Sequence, residues 1–445
     1  MNIALTYFEC MRYRYASEKK RDYIRQQRLK KLVQYAKKHS PYLAKLYENI
    51  GENFQLRDLP ITSKKMIMEN YEEWVTDRSV RLDELREFVK DSNNVGRRYN
   101  KKYSVVTTSG STGYPLIFLL GKSNLNAMTC ESLIAGQTTG LPTVVCVTGG
   151  RFVIPAVSIK ENMRRFPFLD KLGYHYIDST QPINDCIDQL EKIQPQTCFS
   201  NPSTFASLAD CAERRNIKIH IANMICGSEM LTTQNRRYIE KIFGGKARGI
   251  YGCTEGGNIA YECDEGHLHL NNSWVILEPV DENYNPVPFG TRSTRVLMTN
   301  LSSYPLPIIR YEVTDRLVMH DEPCSCGNPN SWIQIDGRSA TPPLHFTQNG
   351  ETITISAFTI YALLETMNTM RRFQIVVHKE NRIECRIVFM PGVDKEAVMN
   401  DIKRALNGFL NKSGIKDIKY YLSDIEPQLD PVSSKFISVY QAKDE

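Results

Sequence analysis

The 445 residues carry 56 Lys and Arg against 50 Asp and Glu, a net charge of +6, with 41% hydrophobic and 24% charged positions. That balance fits a globular chain with more than one core, and it argues against a disordered protein, a disulfide-framed mini-domain and a strongly basic nucleic-acid binder. The opening MNIALTYFECMRYRYASEKK is too polar and aromatic for a signal peptide and no apolar run reaches bilayer length, so no membrane insertion and a cytoplasmic location are expected. Twelve cysteines spread over this length then read as reduced thiols, with metal ligands where they cluster.

Residues 17–51 show helical spacing through Tyr23, Leu29, Leu32, Val33 and Ala36. Ser40-Pro41 breaks the pattern, and residues 42–50 resume it as a second helix. Lys19, Lys20, Arg21, Lys30, Lys31, Lys37 and Lys38 read as a solvated helix face, with a basic surface for acidic partners as the alternative. Residues 103–121, YSVVTTSGSTGYPLIFLLG, read as two strands joined by a hydroxyl-rich glycine loop. Its free N–H groups and hydroxyls suit phosphate oxygens. It lacks both the Gly-Lys-Ser/Thr ending of a Walker loop and the spacing of a dinucleotide fingerprint.

Beyond this loop the chain alternates: helix 124–136, strand 144–148, strand 197–200, helix 203–214, strand 219–225, helix 233–243 and strand 247–251. The alternation predicts a parallel sheet covered by helices, with ligands beyond the C-terminal strand ends. Two of those ends carry Cys226-Gly227-Ser228-Glu229 and Tyr251-Gly252-Cys253-Thr254-Glu255-Gly256-Gly257.

Cys263 is followed by His267 and His269, and Cys324-Ser325-Cys326-Gly327 comes later. Three thiolates and an imidazole would complete a closed tetrahedral site, although loose cysteines and surface histidines also account for the pattern. Residues 305–315, PLPIIRYEVTD, read as an apolar strand closing on Asp315, and Asp336-Gly337-Arg338 follows. After Ala340-Thr341-Pro342-Pro343 comes a small α/β unit: strand 373–378, a turn at Glu380-Asn381, strand 383–390, helix 395–410 and strand 416–422. Pro431-Val432-Ser433-Ser434-Lys435-Phe436 lies near the end.

In this order the motifs resemble the adenylate-forming superfamily of acyl-CoA synthetases, luciferases and peptide-synthetase adenylation domains. Thr108, Ser109, Gly110, Ser111, Thr112, Gly113 and Pro115 match its phosphate loop, and Tyr251-Gly252-x-Thr254-Glu255 matches its Tyr-Gly-x-Thr-Glu signature. The N-terminal helices, Leu59-Pro60-Ile61-Thr62-Lys64, Leu268-His269 and Cys324-Ser325-Cys326-Gly327 are similar to elements of the phenylacetate-coenzyme A ligase subgroup. The resemblance implies an α/β fold: a large N-terminal multilayer α/β domain with parallel sheets, residues 1–336, and a small mobile C-terminal α+β domain, residues 337–445. It departs from the pattern at the hinge, where Pro342-Pro343 replaces the usual acidic, flexible stretch, and at Ser434, which replaces a glycine.

The resemblance also assigns roles. Thr108 to Gly113 and Thr254 would hold phosphates, Glu255 would hold Mg²⁺, and Gly227, Ser228, Glu229, Tyr251 and Gly252 would surround the adenine. Asp315 would accept both ribose hydroxyls, Arg338 would reach the nucleotide from the hinge, and Lys435 would bridge the carboxylate and the α-phosphate. Cys263, His269, Cys324 and Cys326 would bind a structural zinc, with His267 the alternative imidazole. The implied activity is AMP-forming: ATP adenylates an aryl or aryl-alkyl acid, and coenzyme A displaces AMP. Loading of a carrier-protein pantetheine, amide formation and a non-catalytic nucleotide- and zinc-binding homologue stay open, as do a homodimer and a carrier-protein partner.

Overall fold

The computed structural model describes residues 3–91, 94, 97–107, 116–135, 144–148, 173–179, 181–313, 315–338, 344–355, 357–365, 367, 369–430 and 436–442. The phosphate-loop motif, the Pro342-Pro343 hinge and Lys435 lie outside them. Among the described residues no helix is long and apolar enough to cross a membrane.

The helical start is longer than its periodicity suggested, because a helix at Ile3–Arg14 precedes the two at Glu18–His39 and Pro41–Leu46. The break between the latter two has a local cause: the Ser40 hydroxyl accepts the Leu43 N–H at 3.2 Å, and Pro41 occupies the first helical position, where no amide is needed. Leu29, Leu32, Val33 and Ala36 face inward, toward a core shared with the next elements. These include the antiparallel hairpin β1 (Ser104–Thr107) and β2 (Ile117–Leu120), whose register pairs Thr107 with Ile117 across the undescribed loop.

The centre of the fold is a nine-stranded mixed sheet. Its parallel half holds β3 (Val144–Thr148), β4 (Tyr174–Asp178), β5 (Thr197–Ser200), β6 (Asn223–Cys226) and β7 (Lys246–Cys253). Helices Ile183–Ile193, Pro202–Arg215 and Thr233–Phe243 cover it and share its core. The last of these begins at the Thr232 cap, whose hydroxyl accepts the Asn235 N–H at 3.1 Å, and stops at Gly244 with φ +72°. From β7 onward the pairing turns antiparallel through β8 (Gly257–Glu262) and β9 (Leu268–Leu270). The alternation of strands and helices carries no sign of this second half.

A three-stranded sheet of β10 (Val275–Val280), β11 (Arg295–Asn300) and β12 (Ile308–Val313) packs into the first core. The large sheet closes with β13 (Asp315–His320) and β14 (Trp332–Arg338), the latter pairing with β9. The linker at Thr62 lies beside β12: its N–H donates to the Arg310 carbonyl at 2.9 Å, and its hydroxyl donates to the Ile309 carbonyl at 2.8 Å.

Residues beyond 344 build a separate core. Here β15 (Leu344–Gln348) pairs with β16 (Glu351–Ile355), and a four-stranded sheet runs in the order β19 (Lys419–Leu422), β18 (Arg382–Phe389), β17 (Met370–His378), β20 (Val439–Gln441). Helices Ala357–Glu365 and Lys395–Leu410 contribute to that core, the second capped by the Asp394 carboxylate.

Arg310 is fixed by tertiary contacts, not by its strand alone. It is buried, sits in the left-handed region at φ +46°, and donates to the Arg57 and Leu59 carbonyls at 3.0 and 2.8 Å while pairing with Glu278 at 3.2 Å. It stitches the linker to β12. Removing it strands those carbonyls and leaves the Glu278 carboxylate without its cation, so Arg310→Ala should cost about 3 kcal/mol in denaturant unfolding. A loss near zero would show that the linker is held by backbone pairing alone.

Candidate active site

The sheet changes from parallel to antiparallel at the β7–β8 hairpin, whose turn is Thr254-Glu255-Gly256. The hairpin is unusually tight: a Cβ built on Gly252 would stand 2.4 Å from the Gly257 carbonyl oxygen, and one on Gly256 would stand 2.6 Å from the Met298 sulfur. Gly252 is therefore required by the protein itself, whether or not a ligand approaches it. Gly227 contrasts with it, because among the described residues a Cβ there would meet only Ile250 at 3.9 Å, an ordinary contact. No described residue demands glycine at 227 by packing, which leaves room for a flat group against the backbone.

Glu255 is buried at the turn. The Tyr311 hydroxyl donates to its Oε1 at 2.9 Å, and the Asn300 amide donates to its backbone carbonyl at 2.8 Å. Burial and then the Glu255 carboxylate push the Tyr311 phenol far above its ordinary value, so it remains a donor. The Cys253 thiol is likewise pushed well up by burial and held neutral. A cavity opens beside Thr254, Gly256 and Gly257, closed by Met128, Asn271 and Ser302.

Two motifs far apart in the chain meet here. The Tyr251 hydroxyl donates to Asp315 Oδ2 at 2.6 Å, and Asp315 in turn pairs across the β13–β14 register with the backbone of Arg338. Sequence reasoning passed over Tyr311 and Asn300, the two residues that fix Glu255. Tyr311 stands inside the 305–315 segment that closes on Asp315 and was findable there; Asn300 carried no signal.

Glu229 is held by partners within the protein. Its carboxylate accepts the Ser203 N–H at 3.1 Å and the Ser203 hydroxyl at 2.9 Å, capping helix Pro202–Arg215, and it accepts the Phe436 N–H at 3.1 Å. Burial pushes this carboxyl up, and the Ser203 and Phe436 donors pull it back. Ser228 before it takes φ +69°, which turns the chain sharply after β6.

The Cys/His group lies in the antiparallel half. Ligand atoms of Cys263, His269, Cys324 and Cys326 all lie within 4.8 Å of one another. The Cys263 and Cys324 sulfurs are 3.8 Å apart, and the His269 Nε2 is 3.3 Å from the Cys326 sulfur. Tetrahedral zinc with bonds of about 2.3 Å would separate two thiolates by about 3.8 Å, whereas a disulfide would need about 2.05 Å. His269 Nδ1 meets the Asn330 carbonyl at 2.8 Å, which directs Nε2 toward the thiols. His267 plays another part, with Nδ1 3.3 Å from the Cys324 sulfur and its ring stacked on Trp332 at 4.0 Å. Burial pushes the Cys324 thiol up, but hydrogen bonds from the Cys326 backbone and His267 outweigh it and bring it down to about 6. The donor set suits a closed zinc site.

No protein-family model matches the chain. A phenylacetate-coenzyme A ligase of Thermus thermophilus is 22% identical over 387 residues, 81% of this chain and 79% of the relative. Among solved structures, 2-hydroxyisobutyryl-CoA ligase in the postadenylation state with 2-HIB-AMP superposes with a TM-score of 0.68 at 18% identity, over 97% of this chain and 92% of that one. The same ligase in its thioesterification state, with 2-HIB-AMP and CoA, gives 0.55 at 19% identity over 97% and 91%. The fold is that of the acyl-CoA ligases of the adenylate-forming superfamily. In sequence the chain is similar to phenylacetate-coenzyme A ligase, at the 22% identity given above.

The two glycines separate packing from ligand demand. Gly252→Ala should destabilise by more than about 2 kcal/mol through the carbonyl clash, while Gly227→Ala should stay within about 0.5 kcal/mol of the parent in thermal or denaturant unfolding. Equal losses at both positions would contradict the geometry described for Gly227.

Proposed function

We propose that the protein is an AMP-forming acid–coenzyme A ligase acting on a small carboxylic acid, of aryl or aryl-alkyl type on the phenylacetate-coenzyme A ligase relationship. The observation that carries the reading is the convergence of Tyr251, Glu255 and Asp315 on one end of the central sheet, joined by the Tyr251–Asp315 hydrogen bond. The nucleotide would lie with its adenine against Gly227 and Tyr251 and its ribose hydroxyls on Asp315, which as a carboxylate can accept both. Residues 1–336 form the nucleotide- and acid-binding part in this reading, and residues 337–445 the mobile part. Cytoplasmic residence accords with twelve cysteines that are all unpaired by disulfides.

In the first step the acid's carboxylate oxygen attacks the α-phosphorus, the bond to the bridging oxygen breaks, and pyrophosphate leaves. Two anions must approach each other, so charge neutralisation and positioning supply most of the barrier reduction. The residues Thr108 to Gly113, with Thr254, would donate to the phosphates, and the Lys435 ammonium would lie between the carboxylate and the α-phosphate. Glu255, oriented by Tyr311, offers the hard oxygen that a nucleotide-bound Mg²⁺ requires; the ion would add positive charge there. In the second step a thiolate attacks the acyl carbon, the carbon–oxygen bond breaks, and AMP leaves with that oxygen.

The test is pyrophosphate release across a carboxylic acid panel, with ATP and with or without coenzyme A. At least one acid should release pyrophosphate, and coenzyme A should yield the thioester. Lys435→Ala should lower adenylation by about 1,000-fold while ATP binding changes little, the pattern of a group used in the transition state. Exchange of pyrophosphate into ATP surviving in that variant would remove Lys435 from its role.

The Cys263, His269, Cys324 and Cys326 group is assigned in the same reading to one structural zinc. Elemental analysis should find about one zinc per chain, and Cys324→Ser or prolonged chelation should remove it and lower the unfolding temperature. A metal-free protein of unchanged stability would contradict the assignment.

A further inference from the structure

A two-step enzyme of this kind must dock its C-terminal unit for the first step and free it afterwards. The structure contains a compact set of contacts suited to that demand. Glu229 accepts the Phe436 N–H at 3.1 Å, and Phe436 directly follows Lys435 in the chain. From within the small unit, buried Gln374 of β17 holds the same loop base, donating to the Gln428 and Ile437 carbonyls at 2.9 and 3.0 Å, and Leu429 bridges to Phe436. The loop base is thus fixed to its own sheet by Gln374 and to the large part by Glu229.

A second contact lies along the same face. Arg371 pairs with Asp210, reaches Glu213 at 3.2 Å, and stacks 4.3 Å over Tyr238, whose hydroxyl donates to Asp210 at 2.7 Å. The Gln234 amide donates to the Met367 carbonyl at 3.0 Å. Among the described residues, these links are largely polar or cationic. Interfaces of that character separate at modest cost, unlike an apolar core.

We propose that Glu229 is a positioning residue that, together with the Arg371–Asp210–Glu213 cluster, latches the C-terminal unit in the docking used for adenylation and must let go before thioester formation. The inference rests on the function proposed above. Glu229 follows the Gly227-Ser228 turn directly, so the carboxylate that grips Phe436 is anchored in the segment offered to the adenine. Nucleotide contact and docking therefore share one short stretch of backbone.

Glu229→Gln and Arg371→Gln test this on the full-length protein. ATP–pyrophosphate exchange is measured with whichever acid of a carboxylate panel supports it best, and AMP release is measured separately from the synthetic acyl-adenylate of that acid with coenzyme A. Each variant should slow the first half-reaction by about tenfold or more and leave the second within about twofold. Glu229 also caps a helix, so Glu229→Gln could act through folding; Arg371 caps nothing and controls for that.

Amide hydrogen exchange supplies a reading that needs no activity. Arg371→Gln should speed exchange in the 429–437 segment by about tenfold, although the partners of Arg371 are Asp210, Glu213 and Tyr238, while β17 and β18 stay protected. If the parent protein shows no exchange with any acid yet this coupling is present, the proposed function fails and the adenylation role of the latch fails with it, while the docking contact itself stands. If Arg371→Gln leaves segment 429–437 as protected as in the parent, or slows both half-reactions alike, the latch is wrong.

Discussion

The close approach of Gly252 to the Gly257 carbonyl is the constraint on which the site depends. Only a residue without a Cβ lets β7 reverse into β8 within three residues, and that reversal turns a parallel sheet into an antiparallel one. Tyr251 stands just before the reversal and Glu255 at its tip, so both are carried by a rigid hairpin and not by a free loop. The antiparallel strands that follow bring Asp315 back to the same end, where it meets Tyr251. A switch of strand direction thus produces the crevice that a parallel sheet alone would place elsewhere.

The Cys/His group belongs to the same half-sheet. Strands β9 and β14 pair over only two positions, His269 with Trp332 and Leu268 with Ile333. So short a ladder holds weakly, yet β14 delivers the backbone of Arg338 to Asp315. A metal joining Cys263 and His269 to Cys324 and Cys326 would clamp the two segments that this ladder joins. Its contribution to activity would be indirect, through the rigidity of the edge on which Asp315 sits.

Much of this was legible in the sequence because local signals agreed with the fold. Thr232 and Gly244 delimit a helix at its predicted ends, and the Glu380-Asn381 turn is a pair of left-handed residues between two strands. The antiparallel half was not legible: β8, β9, β13 and β14 are short or mixed in pattern and acquire their identity from neighbours distant in the chain. Helix Ile3–Arg14 was missed because it buries just one narrow side, with Leu5 and Phe8 left exposed. In the candidate site, the residues proposed to meet a ligand stand in motifs of the sequence. Those that hold them, Asn300 behind Glu255 and Asn330 behind His269, are ordinary polar residues until the fold brings them there.

The central claim is that a carboxylate oxygen of the acid becomes bonded to the α-phosphorus of ATP at the Tyr251–Glu255–Asp315 end of the sheet. Isotope transfer tests it most directly. With an acid labelled by oxygen-18 in its carboxylate, ATP and coenzyme A, a complete turnover should leave one labelled oxygen in the AMP, and mass spectrometry of the nucleotide would show it. Unlabelled AMP, or label in inorganic phosphate alongside ADP, would contradict the account.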